Sequence, residues 1–340
     1  MNNLFLESGY LDWNYIMNDD NPFTVIVSAR GVGKTYGCLE WIKKEDKKFA
    51  LLRLTDKESQ FCANPAGNPF KALNRDHDWT VEVKRINQYM YGFYENKESN
   101  DYLGLLLSLS TFSRIRGADL SDIEYEIIDE FIPETIVKKI SGMGEAVLQS
   151  YETINRNREL QGHKPLKLIM MANALNINNE ILIKFGLVSI LQKMKKKNLE
   201  IYRDTDRGIT VIFPQSTPIS EMKRDTALYR ISERFNKMAL DNQFREYYEL
   251  NIGSRRIHDY KLITGFDNIY FYKSKADGSH YVTSFLDKKQ KLQDYYGNTD
   301  FEIIQFRKKY WYYIDAYYNN RIKFESAENE LDFINLFKIQ

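Results

Sequence analysis

Lys34, Thr35, Asp129 and Glu130 are the residues whose types and spacing could do chemistry. The first two close the run Ser28, Ala29, Arg30, Gly31, Val32, Gly33, Lys34, Thr35, with Tyr36 following. It fits the phosphate-loop pattern G-x-x-x-x-G-K-[ST] except for serine at the first position. In such a loop Gly31 and Gly33 let backbone amides turn inward around phosphates. Lys34 reaches the β and γ oxygens, and Thr35 offers its hydroxyl to Mg²⁺. The same amides open a helix, whose N-terminal partial charge favours an anion. Serine disfavours positive φ, but several loop conformations do not need positive φ at that first position.

The second pair ends the apolar run Tyr125 to Phe131. Asp129 is placed to hold Mg²⁺ opposite Thr35, and Glu130 to polarise an attacking water. Small-molecule kinases use the acceptor hydroxyl as nucleophile and usually lack this second carboxylate, so the pair points to hydrolysis. The expected ligands are ATP and Mg²⁺. Asn173, just after the run Leu166 to Ala172, suits a sensor of the γ-phosphate or the attacking water.

These residues need strand ends to position them. Phe23 to Val27 is a β-branched run, Thr35 to Lys44 is helix-like, and Phe49 to Leu54 returns as a strand, which makes a βαβ unit. Leu103 to Ser110, Tyr125 to Phe131, Leu166 to Ala172 and Gly208 to Phe213 are further near-continuous apolar runs, as expected of strands covered on both faces. The fold class expected is α/β, a P-loop NTPase with a parallel sheet of the additional-strand, catalytic-glutamate class. Leu103 to Ser110 is read as the additional strand. Gly144 to Leu160 has helical character with a basic end. Pro214 to Asp225 changes texture, with two prolines, two serines and charges. The domains expected are therefore a motor domain over 1–213, a linker over 214–236, and a small α+β domain over 237–340. That last domain has strand-like pieces and a helix-like aromatic run from Phe301 to Tyr318.

Composition narrows the class. A net charge of +1 excludes a general polyelectrolyte tether, so nucleic-acid contacts must be local. Two cysteines and four scattered histidines fit no disulfide framework and no zinc site, and a reducing cytosol is expected. The most apolar run is far short of the roughly 20 residues of a spanning helix, so no membrane partner is expected.

The loop, the Ile127–Phe131 block, "NRNREL" (Asn155 to Leu160), "MANALNIN" (Met171 to Asn178) and "MALDNQF" (Met238 to Phe244) together resemble the DNA-packaging ATPases of φ29-type short-tailed phages, compact relatives of large terminase subunits. The blocks keep their order and spacing over most of the chain, and Ser28 is the departure. The resemblance implies a homopentameric ring that drives double-stranded DNA into a preformed capsid by ATP hydrolysis. It works in the host cytoplasm, transiently at the portal vertex. Its partners are DNA, the portal, other copies of the chain and, as a further candidate, a structural packaging RNA. It also implies a C-terminal domain of degenerate RNase H-like type without cutting activity. In agreement, Asp259, Asp267, Asp277 and Asp287 form no clear strand-borne cluster for two metals.

The resemblance places a trans-acting arginine finger on Arg156, with Arg158 as the fallback. The two lie two apart near a helix end and would face different directions. Arg116 aligns with a basic residue at the family's subunit interface, and Arg53 and Lys57 are further trans-acting candidates. Lys138 and Lys139 follow the acidic pair and are candidates for lining a DNA channel. Two other readings remain at this stage. One is a P-loop ring helicase or loader, and the other is a non-hydrolysing, nucleotide-gated assembly protein.

Overall fold

A computed structural model describes residues 4–133, 140–174, 176–224, 226–227 and 257–339. These fall into two compact units. Residues 4–132, 143–174 and those from 185 to 227 form the first; 133, 140–142, 176–184 and 257–339 form the second.

The first unit is built on nine strands: β1 (Phe23–Val27), β2 (Phe49–Arg53), β3 (Glu82–Arg85), β4 (Tyr91–Tyr94), β5 (Tyr102–Ser108), β6 (Tyr125–Asp129), β7 (Lys167–Ala172), β8 (Ile201–Asp204) and β9 (Ile209–Ile212). Their order is β3-β4-β5-β2-β6-β7-β1-β9-β8. The six from β5 to β9 are parallel, while β4, β3 and β8 join antiparallel at the edges. Val25, Ile26, Ile127, Ile128, Ile169 and Met170 are completely buried, as strands covered on both faces require. The edge strands lack that apolar signature, which is why the sequence did not reveal them.

One strand does separate the two motif strands, but it is not the one expected. Tyr102–Ser108 pairs on the outer side of β2. The strand between β1 and β6 is β7, which follows β6 in the chain. Its register brings Val27 level with Ala172 and Asp129 level with Met171. The ends of β1, β6 and β7 therefore open together, where open α/β sheets place their ligands.

The unit's helices are α1 (Trp13–Met17), α2 (Lys34–Lys44), α3 (Asp56–Ala63), α4 (Lys71–His77), α5 (Met143–Asn155), α7 (Val188–Lys197) and α8 (Pro218–Lys223), with α6 (Glu180–Lys184) belonging to the second unit. Helix α2 starts at once after Gly33, buries Cys38, Leu39 and Ile42, and ends on Lys43 and Lys44, which suit its C-terminal dipole. Helix α7 buries Val188, Leu191 and Met194 and leaves its lysines in solvent. Within the stretch expected to begin a linker, Thr217 caps α8 by accepting from Ser220 N, and Ile219 and Ser220 are buried in the first unit. The cap and the buried isoleucine override the proline-rich composition.

The second unit carries a five-stranded sheet, β10 (Tyr260–Phe266), β11 (Ile269–Ser274), β12 (His280–Thr283), β13 (Tyr295–Tyr296) and β14 (Ile322–Phe324), in the order β13-β10-β11-β12-β14. Its core is aromatic: Phe271, Phe306, Tyr313 and Phe333 are fully buried. The run expected as one helix is two, Asp300–Lys309 and Tyr312–Tyr318, so that Phe306, Tyr310 and Tyr313 all face this core while Trp311 faces solvent. Among the described residues no helix is long and apolar enough to cross a membrane.

Glu126 interrupts the apolar pattern of β6. Its side chain is fully buried, Ser150 Oγ of α5 donates to it at 2.5 Å, and its Oε2 has no partner. Burial pushes its pKa up to about 8 against the pull of that hydrogen bond. The folded protein thus keeps a proton that the unfolded chain releases near the ordinary glutamate value. This contribution to stability is complete below that value and is lost as pH rises through about 8. Glu126→Gln keeps the shape and removes the titration. Its Tm should match wild type near pH 4 and exceed it by several degrees at pH 8.5, because each pH unit in the window is worth up to about 1.4 kcal/mol. Parallel pH profiles of Tm for the two proteins would show that Glu126 is not held protonated.

Candidate functional site

The loop between β1 and α2 has the backbone its sequence calls for. Gly31 and Gly33 take φ of 80° and 81°, in the left-handed region where a side chain is strained. Ser28 does not occupy that region, so serine costs nothing there. It is buried, its N–H donates to Ala172 O at 3.1 Å, and its Oγ accepts from Lys34 Nζ at 3.3 Å. Lys34 Nζ also donates to Ala29 O at 2.8 Å, to Asn173 Oδ1 at 2.9 Å and to Ser28 O at 3.2 Å. Burial pulls its pKa down to about 8; Asp129 and Glu130 oppose this, and Arg30 and Lys223 add to it. Val32 is buried, and its O accepts from Leu11 N at 3.1 Å. Tyr36 turns away from the loop, its hydroxyl donating to Asp76 Oδ2 at 3.2 Å, so only its backbone remains near the turn.

The two motif strands meet through side chains. Thr35 Oγ1 lies 3.1 Å from both carboxylate oxygens of Asp129. Arg53, at the end of the neighbouring β2, places one guanidinium nitrogen 2.8 Å from Asp129 Oδ2 and the other 2.5 Å from Glu130 Oε2. Arg53 was expected as a trans-acting candidate; instead its guanidinium, with the side chain only 13% exposed, is committed to the carboxylates of its own chain. The reason is strand order, since β2 adjoins β6. Burial disfavours the charge on Arg53, but Asp129 and Glu130 outweigh it and raise its pKa. Burial also raises the pKa of Asp129, opposed by Arg53. Glu130 has a φ of 55°, uncommon for a residue with a side chain, and its side chain is 60% exposed. The end of β6 thus points one carboxylate inward and the other to the open mouth.

Asn173 sits where the sequence placed it, touching Lys34. Arg116 is exposed and donates to Gln149 of α5, and Lys57 is exposed on α3. Arg156 and Arg158 differ from expectation. Helix α5 stops at Asn155, and Arg156 takes a φ of 46° just after it. Off the helix, the two face the same way: Arg156 donates to Ala118 O at 2.6 Å, and Arg158 to Ser121 O at 2.6 Å and to Ile123 O. Arg156 is exposed, while Arg158 is half-buried. Lys138, Lys139 and the "MALDNQF" block lie outside the described residues. In the second unit Asp277 Oδ1 accepts from Ser279 N at 3.0 Å and Asp287 Oδ1 from Lys289 N at 3.0 Å. Among the described residues no three His, Cys, Asp or Glu side chains are placed to share a metal ion.

Three residues at the loop left no signal in the sequence. Trp13 Nε1 donates to Gly33 O at 3.2 Å, and Tyr10 packs against Gly33. Lys223 of α8 donates to Arg30 O at 3.3 Å. None belongs to a motif, and all arrive through packing.

A family model for podovirus DNA encapsidation proteins matches residues 6–291. The chain belongs to that family. It is a viral DNA-packaging protein of the P-loop NTPase fold. Among solved structures it is similar to the Phi-28 gp11 DNA packaging motor, at 17% identity and a TM-score of 0.52, over 97% of this chain and 98% of that one. It is likewise similar to the bacteriophage Phi-29 viral genome packaging motor assembly, at 15% identity and a TM-score of 0.52, over 97% and 99%. No curated protein matches by direct sequence comparison.

Replacing Arg53 would leave two carboxylates facing each other, one of them buried. Arg53→Met should lower stability by roughly 2–4 kcal/mol in urea unfolding at pH 7, with part of the loss recovered at pH 5 as Asp129 takes up a proton. A loss below about 0.5 kcal/mol would show that the guanidinium is not what holds the pair together.

Proposed function

We propose that this encapsidation protein hydrolyses ATP at the Lys34–Thr35–Asp129–Glu130 site and couples hydrolysis to moving double-stranded DNA into a preformed capsid as a ring of identical subunits, a pentamer in the family reading. The observation that carries it is the approach of Thr35 Oγ1 to both oxygens of Asp129 across an intervening strand, 3.1 Å each, beside an enclosed Lys34 ammonium. A hydroxyl and a buried carboxylate converging at the start of a helix are an all-oxygen donor set that suits Mg²⁺, which keeps waters and phosphate oxygens in its remaining positions. Thr35 and Asp129 would hold that ion, and it would supply charge neutralisation to the β and γ oxygens.

The amides of Gly31, Gly33 and Lys34 and the Lys34 ammonium bind the phosphate tail, with the flanking loop residues Ser28, Ala29, Arg30 and Val32 shaping the turn. Glu130, at the open mouth, accepts a proton from the attacking water as oxygen bonds to the γ-phosphorus and the β–γ bridge breaks. Asn173, now on Lys34, reads the departure of the γ-phosphate. Arg156 stabilises the transition state of the neighbouring subunit's site. Its guanidinium is exposed, resting on Ala118 O and Thr153 O, and is easier to redirect than that of the half-buried Arg158 on Ser121 O and Ile123 O. Arg116 and Lys57, both exposed, are further interface candidates, and Lys138 and Lys139 are proposed to touch the DNA phosphates, a contact that needs no base readout. The portal of the capsid and a structural RNA complete the proposed partners.

Glu130→Gln should keep ATP bound while slowing hydrolysis about 10²–10⁴-fold, and Arg156→Ala should be as slow in assembled rings. Mixing the two inactive proteins should restore part of the phosphate release, because the intact site of one is completed by the arginine of the other. No rescue on mixing, together with wild-type turnover by Arg156→Ala rings, removes Arg156 from the role. Normal turnover by Glu130→Gln removes Glu130.

Lys34 adds a pH signature. With its pKa near 8 in the free protein, the ammonium is lost as pH rises through that value and must be regained when phosphate binds. ATP affinity should therefore fall up to about tenfold per unit above pH 8, with proton uptake seen by calorimetry in buffers of different ionisation enthalpy. Affinity that stays flat to pH 9.5 would place the Lys34 pKa well above 8.

A further inference from the structure

Lys223 stands at the last turn of α8, far in sequence from the phosphate loop, yet its ammonium lies over the loop. A Cβ built on Gly31 would come within 1.9 Å of Lys223 Nζ, and Nζ reaches Arg30 O at 3.3 Å. The side chain is anchored by its helix. Thr217 caps α8, Ile219 and Ser220 are buried, and Pro218 packs so closely on the N-terminal segment that a Cβ on Gly9 would meet its Cβ at 3.0 Å. The packing of α8 sets where the lysine's backbone stands, within side-chain reach of the loop.

Two ammonium groups, those of Lys34 and Lys223, stand beside the loop, while Asp129 and Glu130 are already engaged by Arg53. Among the described residues Lys223 has no carboxylate partner, and its one hydrogen bond is to a neutral carbonyl at the long end of the range. An ammonium fixed beside inward-turning amides and a second ammonium is poised for a polyanion.

We propose that Lys223 is a second phosphate-binding lysine, which trades its contact with Arg30 O for an oxygen of the nucleotide's phosphate tail and so ties α8 to the bound nucleotide. This rests on the reading of Gly31 to Thr35 as a phosphate loop. It adds a ligand from outside any motif and links occupancy of the site to α8. Glycine at position 31 is required by its φ of 80°, and it leaves open the space in which the Lys223 ammonium sits.

The test is a charge series at one position, read by titration of a fluorescent ATP analogue with Mg²⁺ and by the Tm of the nucleotide-free protein. Lys223→Met should weaken binding about 10–100-fold, as loss of a charge-assisted hydrogen bond does. Lys223→Arg should recover most of it, Lys223→Glu should bind more weakly than Lys223→Met, and all three should melt with wild type when nucleotide-free. A structural role would move the Tm without this ordering by charge. Binding within twofold of wild type in Lys223→Met, or no recovery in Lys223→Arg, overturns the proposal. Lys34→Ala run alongside separates the two readings. If wild type binds and Lys34→Ala does not, a silent Lys223→Met defeats this inference alone; if Lys34→Ala binds like wild type, the phosphate-loop reading itself falls.

Discussion

Everything at the mouth of the first sheet depends on keeping one buried carboxylate satisfied. Asp129 is 7% exposed, at the end of a strand in which Ile127 and Ile128 are completely buried. An isolated charge there would be costly, so neighbouring elements must deliver donors to it. Thr35 comes from the first turn of α2 and Arg53 from the end of β2. These two contacts fix how far α2 and the loop stand from β6, across the width of β7. They also explain the geometry of Glu130: once Arg53 is anchored on Asp129, its second nitrogen is left for the next carboxylate, which the φ of 55° turns to meet it.

The same economy governs the cations. Lys34 is enclosed by carbonyl and amide oxygens, which satisfy its hydrogen bonds without supplying a full negative charge, and burial lowers its pKa accordingly. With Asp129 and Glu130 engaged by Arg53, the Lys34 ammonium hydrogen-bonds only to neutral oxygens at the loop. The N-terminal segment supports this by packing rather than charge. Trp13 and Leu11 donate to the carbonyls of Gly33 and Val32 and so hold the outer side of the turn.

The second unit follows a different rule. It buries rings in place of β-branched residues, with Phe271 and Tyr313 at 4.9 Å and Phe333 and Phe337 at 4.7 Å between centroids. The described carboxylates Asp277 and Asp287 accept from neighbouring backbone in turns, which is a structural use of acids.

Much of that first unit was legible in the sequence. The glycines, Lys34 and Thr35 were readable because a phosphate loop is local: φ preferences and helix initiation act over a few residues. The parallel strands were readable because burial on both faces leaves apolar runs, and Asp129 and Asn173 stood out as polar residues where such runs end. What sequence could not decide was lateral order. Periodicity says that a run is a strand but not which strand lies beside it, so Tyr102–Ser108 was mistaken for the separating strand that is in fact β7. Neighbour identity also decided that Arg53 serves its own site. Helix termination, a matter of one left-handed residue at Arg156, turned two arginines onto the same backbone segment. Lys223 was invisible for the same reason. Its partner is a carbonyl nearly two hundred residues away, and only the packing of α8 on the N-terminal segment brings them together.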